Sequence, residues 1–338
     1  GTGPYAFSEW RPDQYILLTK NESYQPYGEE GDYSGWAGHK TAYYDNVYFY
    51  YPGDNATVMS GIQTGEYDLA DRITGDNYTQ FVDNADYSIF SDESEMPMLI
   101  FNKAKGVSTN PLVRQAVQAV VNCDDLLYAS TGNRDFYNLY SSYMFESSAN
   151  WHTDAGSEYY NQNNPDRAKA LFAEAGWKDS DVFRILVNSN ATDFYAQAQV
   201  IQEQLRQVGI NAEVKTLESG QFQSETGNGA HDMFIMSKTS IDPDSMLRSM
   251  YHTEALGPSG NRCFWTTPEV DALIDEASTT TDTEHAMELY AEIQGKVAEA
   301  APLVPMAVEH LNAGMQSNVK GFGLYPGKSH YINGTYFE

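Results

Sequence analysis

From residue 164 to residue 250 the chain repeats one pattern, helix then strand, and that repetition limits the fold more than any other feature of the sequence. Residues 165–176 form a helix opened by Pro165 and closed by Gly176. Residues 182–188 read as a strand, 192–208 as a helix closed by Gly209, and 210–217 as a strand. Phe222, with Gly227 and Gly229, marks a short helix and its end. Alternation of this kind predicts a sheet flanked by helices, with ligands meeting the ends of the strands.

The series ends in residues 230–250, where strand, loop and helix follow one another directly. Residues 233–236 are a short apolar run of strand length, and residues 237–241 carry neither a helical nor an alternating pattern. Asp242-Pro243-Asp244 is a helix start: Asp242 caps free N–H groups, Pro243 has no N–H to lose, and Asp244 suits the positive end of the helix dipole. A loop held between a buried strand and a capped helix is rigid enough to present polar groups to a ligand, although the same pattern also serves as an ordinary connection.

Elsewhere the signals are mixed. Strands are expected at 15–20, 43–51, 67–71, 87–90, 96–102 and 303–308. Helices are expected from Asp54 to about Gly65, at 77–84, from Asn110 until Asn122 breaks it, again from Asp124, and over 267–277 and 283–300. Residues 132–162 are aromatic, polar and aperiodic, and loops this long are usually functional. The tail beyond Val319 is loop-rich.

Charge excludes whole classes of partner. The formal net charge of −27 argues against nucleic acid and against an anionic membrane surface, both of which need clustered Lys and Arg. No apolar run approaches the length of a membrane span. Cys123 and Cys263 sit in no zinc-like spacing, and nothing in the sequence decides whether they pair. The chain starts at Gly1 without a signal peptide, as expected of a mature or trimmed product. The seven His make no metal pattern, and there is no nucleophile elbow or phosphate-cradling loop. With 47 acidic residues, no catalytic carboxylate pair stands out.

Several segments, in this order and spacing, resemble the family 5 extracellular solute-binding proteins, the peptide and nickel receptors of ATP-binding-cassette importers. They are Gly1-Thr-Gly-Pro-Tyr5, Ser60-Gly-Ile-Gln-Thr-Gly-Glu-Tyr-Asp-Leu-Ala-Asp71, Asn110-Pro-Leu-Val-Arg-Gln-Ala and Asn164-Pro-Asp-Arg-Ala-Lys-Ala-Leu-Phe-Ala-Glu-Ala-Gly176. Further on come Ile201-Gln-Glu-Gln-Leu-Arg-Gln-Val-Gly-Ile210, His231-Asp-Met, Asp242-Pro-Asp244, Pro268-Glu-Val-Asp-Ala-Leu-Ile-Asp-Glu-Ala277 and Ala301-Pro-Leu-Val-Pro305. The resemblance implies an α/β, two-lobed, type II periplasmic-binding-protein-like fold, with mixed sheets flanked by helices and lobes that close over a ligand. It places the Gly-Thr-Gly-Pro-Tyr segment well inside the first lobe. The chain is therefore expected to be the C-terminal portion of a longer receptor with lobe I incomplete: 1–102 and 306–338 from lobe I, 103–305 as lobe II. It also implies a non-enzymatic receptor, without a cofactor, that hands a peptide or other small solute to a membrane permease. Such a receptor is extracellular, as a cell-surface lipoprotein or in the periplasm, and monomeric when full length.

One departure bears on the ligand. In peptide-binding members a Trp, and three residues later an Asp that takes the peptide ammonium, precede the Asp-Pro pair; here those places hold Met236 and Thr239. A hydroxyl contributes about 1 kcal/mol where a carboxylate–ammonium pair contributes several. A peptide and a sugar or other polar solute both stay open, with Tyr137, Tyr140, Tyr143 and Trp265 as aromatics suited to sugar stacking or to ordinary packing. The candidate ligand-binding residues are Met236, Lys238, Thr239, Ser240, Asp242, Tyr140, Trp265 and His310. A secreted hydrolase and a sensor that recognises a partner protein are the competing functional classes.

Overall fold

The computed structural model describes residues 2–30, 33–34, 37–148, 150–239, 242–257, 260–325, 329–330 and 334–338. The chain divides into two compact units, one of residues 1–92 with 311–338 and one of residues 93–310. Strand Tyr87–Phe101 carries the chain from the first unit into the second, and strand Val308–Gln316 carries it back.

The second unit holds the repeated pattern. Its sheet runs, in spatial order, Ala212–Leu217, Phe183–Asn188, Met233–Lys238 and then the second half of Tyr87–Phe101. The first three strands are parallel to their neighbours, with Ala212 opposite Phe183 and Met233 opposite Ile185. The last pairing is antiparallel, with Met233 opposite Phe101 and Lys238 opposite Met96. The inner strands are covered on both faces and read as largely apolar runs, whereas the edge strand Ala212–Leu217 alternates, with Glu213 and Lys215 exposed. Leu99, Phe101, Ile185, Met233 and Ile235 pack under helices Pro111–Val120, Cys123–Thr131, Pro165–Glu174 and Thr192–Gln207. Met96, Met98, Ile100, Leu186 and Phe234 pack on the other side under Pro243–Tyr251, Pro268–Thr279 and Thr283–Ala300. Each fully buried Leu, Met or Phe contributes roughly 1.5–3 kcal/mol, so the two faces hold the sheet far more firmly than its ladder bonds do.

The helix signals act as their chemistry requires. Asn110, Asn164, Asp242, Thr267 and Asp282 each accept a backbone N–H in the first turn of their helix, and Pro follows directly in the first four. Asn122 ends one helix and caps the next through Asp124 N. In helix Thr192–Gln207, Ala198, Ile201 and Leu205 are buried at spacings of three and four. Arg114 is 2 % exposed and has carbonyls for partners: its guanidinium donates to Ala300 O and Ala301 O, at the C-terminus of helix Thr283–Ala300, and to Ser108 O and Thr109 O.

The aperiodic stretch is pinned rather than loose. Gln294 Oε1 accepts from Tyr143 N at 3.2 Å and Ser142 Oγ at 3.3 Å, while its Nε2 donates to Thr153 O and Ala155 O, each at 2.9 Å. Cys123 and Cys263 are buried and unpaired, and burial pushes each thiol up to about 12.

The first unit has an antiparallel sheet of Tyr5–Arg11, Tyr15–Lys20 and Asn46–Tyr50. Its small core is Met59, Ile62, Ala70, Ile73 and Phe81. Asp54 caps helix Asn55–Thr64 and Gly65 closes it with φ 74°.

Three elements differ from the sequence expectation. Residues 5–11, where no strand was expected, form the hairpin partner of Tyr15–Lys20. The expected strands at 87–90 and 96–102 are one strand, Tyr87–Phe101, because the polar residues between them find partners instead of forming a turn. Strand Val308–Gln316 continues beyond the expected 303–308 segment, and most of its residues are buried.

Candidate ligand-binding site

The stretch of residues 230–250 lies wholly in the second unit, and burial along it changes in steps. Met233, Phe234 and Ile235 are buried, Met236, Ser237 and Lys238 are half-buried, and Thr239 is exposed. The strand thus starts inside the core and delivers its last residues to the surface. Polar bonds fix that exit. Ser237 Oγ donates to Glu95 across the antiparallel ladder, and Thr239 Oγ1 donates to Ser94 O at 3.0 Å. Asp242 Oδ2 accepts from Ser245 N at 3.0 Å, which makes it the cap of helix Pro243–Tyr251. Ser240, one of the sequence-derived candidates, lies outside the described residues.

Lys238 has no counter-charge among the described residues. It is half-buried, forms no ion pair among the described residues, and burial followed by the nearby Arg262 guanidinium lowers its pKa. Arg262 is itself lowered by burial, and its Nη1 donates to Thr226 Oγ1 at 3.4 Å.

Tyr140 is half-buried and tied to a carboxylate that the sequence did not reveal. Glu93 Oε1 accepts from Tyr140 Oη at 3.1 Å and from Glu146 N at 3.1 Å; Glu93 Oε2 accepts from Ser147 N at 3.0 Å and from Ser147 Oγ. Burial pushes this carboxyl up, but the bonds from Ser147, Tyr140 and Glu146 together outweigh it and hold it below the usual range. Burial, with Glu93 behind it, raises the Tyr140 phenol. The His152 ring meets Tyr140 edge-on at 4.8 Å.

Two candidates fall elsewhere. Trp265 is 5 % exposed and packs edge-on against Tyr251 at 5.9 Å, with Lys103 Nζ 5.5 Å from the ring centroid. Its apolar area is spent inside the core, so the ring offers no stacking face to a solute. Tyr137 and Tyr143 are buried likewise, which withdraws most of the aromatic supply expected for a sugar. His310 is half-buried on strand Val308–Gln316, whose Val308 pairs with Asn138.

Two depressions lie among the described residues, and of the candidate residues only Asp242 lines either of them. One, of ≈ 360 Å³, lies in the first unit among Tyr44, Tyr48, Tyr50, Tyr67, Asp68 and Phe337. The other, of ≈ 230 Å³, lies in the second unit around Trp151, Thr283, Tyr290 and the helix start at Asp242. Glu93 and Glu95 stand in the polar run Ser91-Asp-Glu-Ser-Glu95, where nothing sets them apart from the other acids. Only the pairing of Tyr87–Phe101 with Met233–Lys238 brings them beside the loop. No group of three His, Cys, Asp or Glu among the described residues is arranged to hold a metal ion, and no helix there is long and apolar enough to cross a membrane.

Comparison with known proteins gives one consistent answer. Residues 1–257 match the family described as bacterial extracellular solute-binding proteins, family 5 middle. A glutathione-binding protein of Pectobacterium atrosepticum is 25% identical over 335 residues, covering 96% of this chain and 62% of the relative. The chain therefore spans less than two thirds of that relative's length. Among solved structures, the periplasmic binding protein DppA of Helicobacter pylori, in complex with the peptide STSA, superposes with a TM-score of 0.79. It is 24% identical, covering 100% of this chain and 63% of that one. A peptide-binding protein AppA of Clostridium difficile gives a TM-score of 0.83 at 22% identity, over 99% of this chain and 67% of the other. The fold is that of the type II periplasmic binding proteins.

Proposed function

The chain belongs to the family 5 bacterial extracellular solute-binding proteins, and from that premise we propose that it binds a small solute, a peptide first, as the receptor of an ATP-binding-cassette importer. The observation that carries this reading is the graded exit of strand Met233–Lys238, buried at Met233 and open at Thr239, next to a rigidly capped helix. A wall so fixed presents Met236, Lys238 and Thr239 to a solute with little ordering still to be done on binding. Tyr140 and Asp242 are held in place by Glu93 and Ser245 and would shape its margins. Glutathione and the peptide STSA, bound by two of the relatives, are small peptides, which supports the peptide class over sugars. The burial of Trp265, Tyr137 and Tyr143 supports the same preference.

The partner implied is a membrane permease, and the setting is outside the cytoplasmic membrane. Binding without turnover is the activity expected. Thermal-shift titration with di- to tetrapeptides, glutathione, oligosaccharides and metal chelates tests the proposal. A ligand at one hundred times its Kd stabilises the native state by about 2.7 kcal/mol, which is several degrees in Tm. Stabilisation by peptides is the expected result; no response to any class sinks the receptor reading.

A further inference from the structure

We propose that Lys238 is the anion-receiving group of this binding surface, so that the solute carries a carboxylate which docks on the lysine ammonium. The inference rests on the receptor reading and narrows it to a ligand charge.

Three observations converge on Lys238. The first is its place. It is the last residue of strand Met233–Lys238, directly opposite Met96, and by strand alternation it shares a face with Phe234 and Met236. That stripe is apolar up to the point where the strand leaves the core, and an ammonium is set at its open end.

The second is the missing partner. The chain has 47 acidic residues against 20 Lys and Arg, and some cations of the second unit do reach carboxylates. Lys296 lies 2.8 Å from Glu269 and 3.3 Å from Glu292, and Arg248 lies 3.3 Å from Asp244 and 3.0 Å from Asp275. Arg114, fully buried, is satisfied by backbone carbonyls. Lys238 has neither kind of partner among the described residues, although Glu95, one residue from its ladder partner Met96, is close by and is engaged by Ser237.

The third is the neighbour. Arg262 adds a second positive charge near the same ammonium, and burial adds to the strain on it. A half-buried cation with a second positive charge in its vicinity is less favourable in the free protein than a solvated one. Such an arrangement persists where a ligand supplies the compensation. A carboxylate is the matching group because it accepts charge-assisted hydrogen bonds from an ammonium, and it is what a peptide with a free C-terminus or an acidic side chain brings.

Isothermal titration with three forms of one tripeptide tests this: Ala-Ala-Ala as the free acid, the same peptide as its C-terminal amide, and Ala-Glu-Ala amide. These separate a terminal carboxylate from one on a side chain. One or both carboxylate forms are expected to bind about 10- to 100-fold more tightly than the neutral amide, the span of a charge-assisted hydrogen bond. In Lys238→Met the preference should fall to within about twofold, in Lys238→Arg it should persist, and added salt should weaken it in the parent. Circular dichroism and Tm of both variants, matched to the parent, show that the fold is kept. Equal binding of acid and amide by the parent, or a preference that survives Lys238→Met, overturns the inference while leaving the receptor reading intact. No binding in any arm removes the peptide receptor reading itself, and the inference with it.

Discussion

The carboxylate of Glu93 is the best single place to perturb, because four donors converge on it and each belongs to the irregular segment that carries Tyr140. Glu93→Gln keeps the shape and removes one acceptor oxygen. The amide oxygen continues to serve one pair of donors, either Tyr140 Oη and Glu146 N or the two groups of Ser147. The NH2 then opposes the backbone N–H of the other pair, donor against donor, while the hydroxyl of that pair turns to accept from it. The charge assistance of that pair is lost, worth about 1–2 kcal/mol in all after discount for partial exposure, and the one opposed N–H adds about 1 kcal/mol. The expected destabilisation is therefore roughly 2–3 kcal/mol, felt first in residues 140–147. Urea denaturation measures the total, and amide hydrogen exchange locates it. The sign of the pH dependence follows from the depressed carboxyl. Its contribution is complete above the ordinary Glu value of about 4.3 and fades as pH falls through the lower folded value, so parent and variant should converge in acid. A change below about 0.5 kcal/mol, with unchanged exchange at 140–147, would refute the view that Glu93 organises this segment.

Other groups give independent checks. His231 is 3 % exposed with both ring nitrogens unpartnered among the described residues, and burial followed by Arg262 holds it down to about 4. The unfolded chain then binds the extra proton first, so stability should fall by up to roughly 3 kcal/mol as pH drops from about 6.5 to 4; His231→Phe should flatten this slope in Tm against pH. Arg114→Met leaves the carbonyls of Ser108, Thr109, Ala300 and Ala301 without their donor and should cost about 3–5 kcal/mol in urea, whereas a surface Arg change costs almost nothing. Cys123 and Cys263, with thiols pushed up to about 12 by burial, should resist a thiol reagent in the native protein and react together on unfolding; fast native labelling of either would contradict their burial.

Local chemistry made part of this protein legible from sequence. Asn110, Asn164, Asp242 and Thr267 announce their helices because a capping oxygen followed by Pro satisfies first-turn donors wherever it occurs. The alternation after residue 164 determined a covered sheet, since strands buried on both faces must be apolar throughout. That same segment, residues 230–250, was legible as strand, loop and capped helix, and the replacement of the ammonium-binding Asp by Thr239 was visible there too.

Tertiary structure decided the rest, because it alone creates partners across long separations. Residues 91–95 read only as a polar gap between two strands until Glu93 meets Ser147 and Glu95 meets Ser237, more than fifty and one hundred residues away in sequence. Trp265 and Tyr140 look alike as exposed-aromatic candidates, but one is consumed by Tyr251 in the core and the other is held by a carboxylate. Lys238 was one cation among 20 in the sequence; in the fold it is half-buried at the end of a strand, without a counter-charge among the described residues. Propensity and capping act within a turn of the chain, whereas burial and charge pairing depend on what the fold brings close. That is why the framework could be read from the residues in order and the binding surface could not.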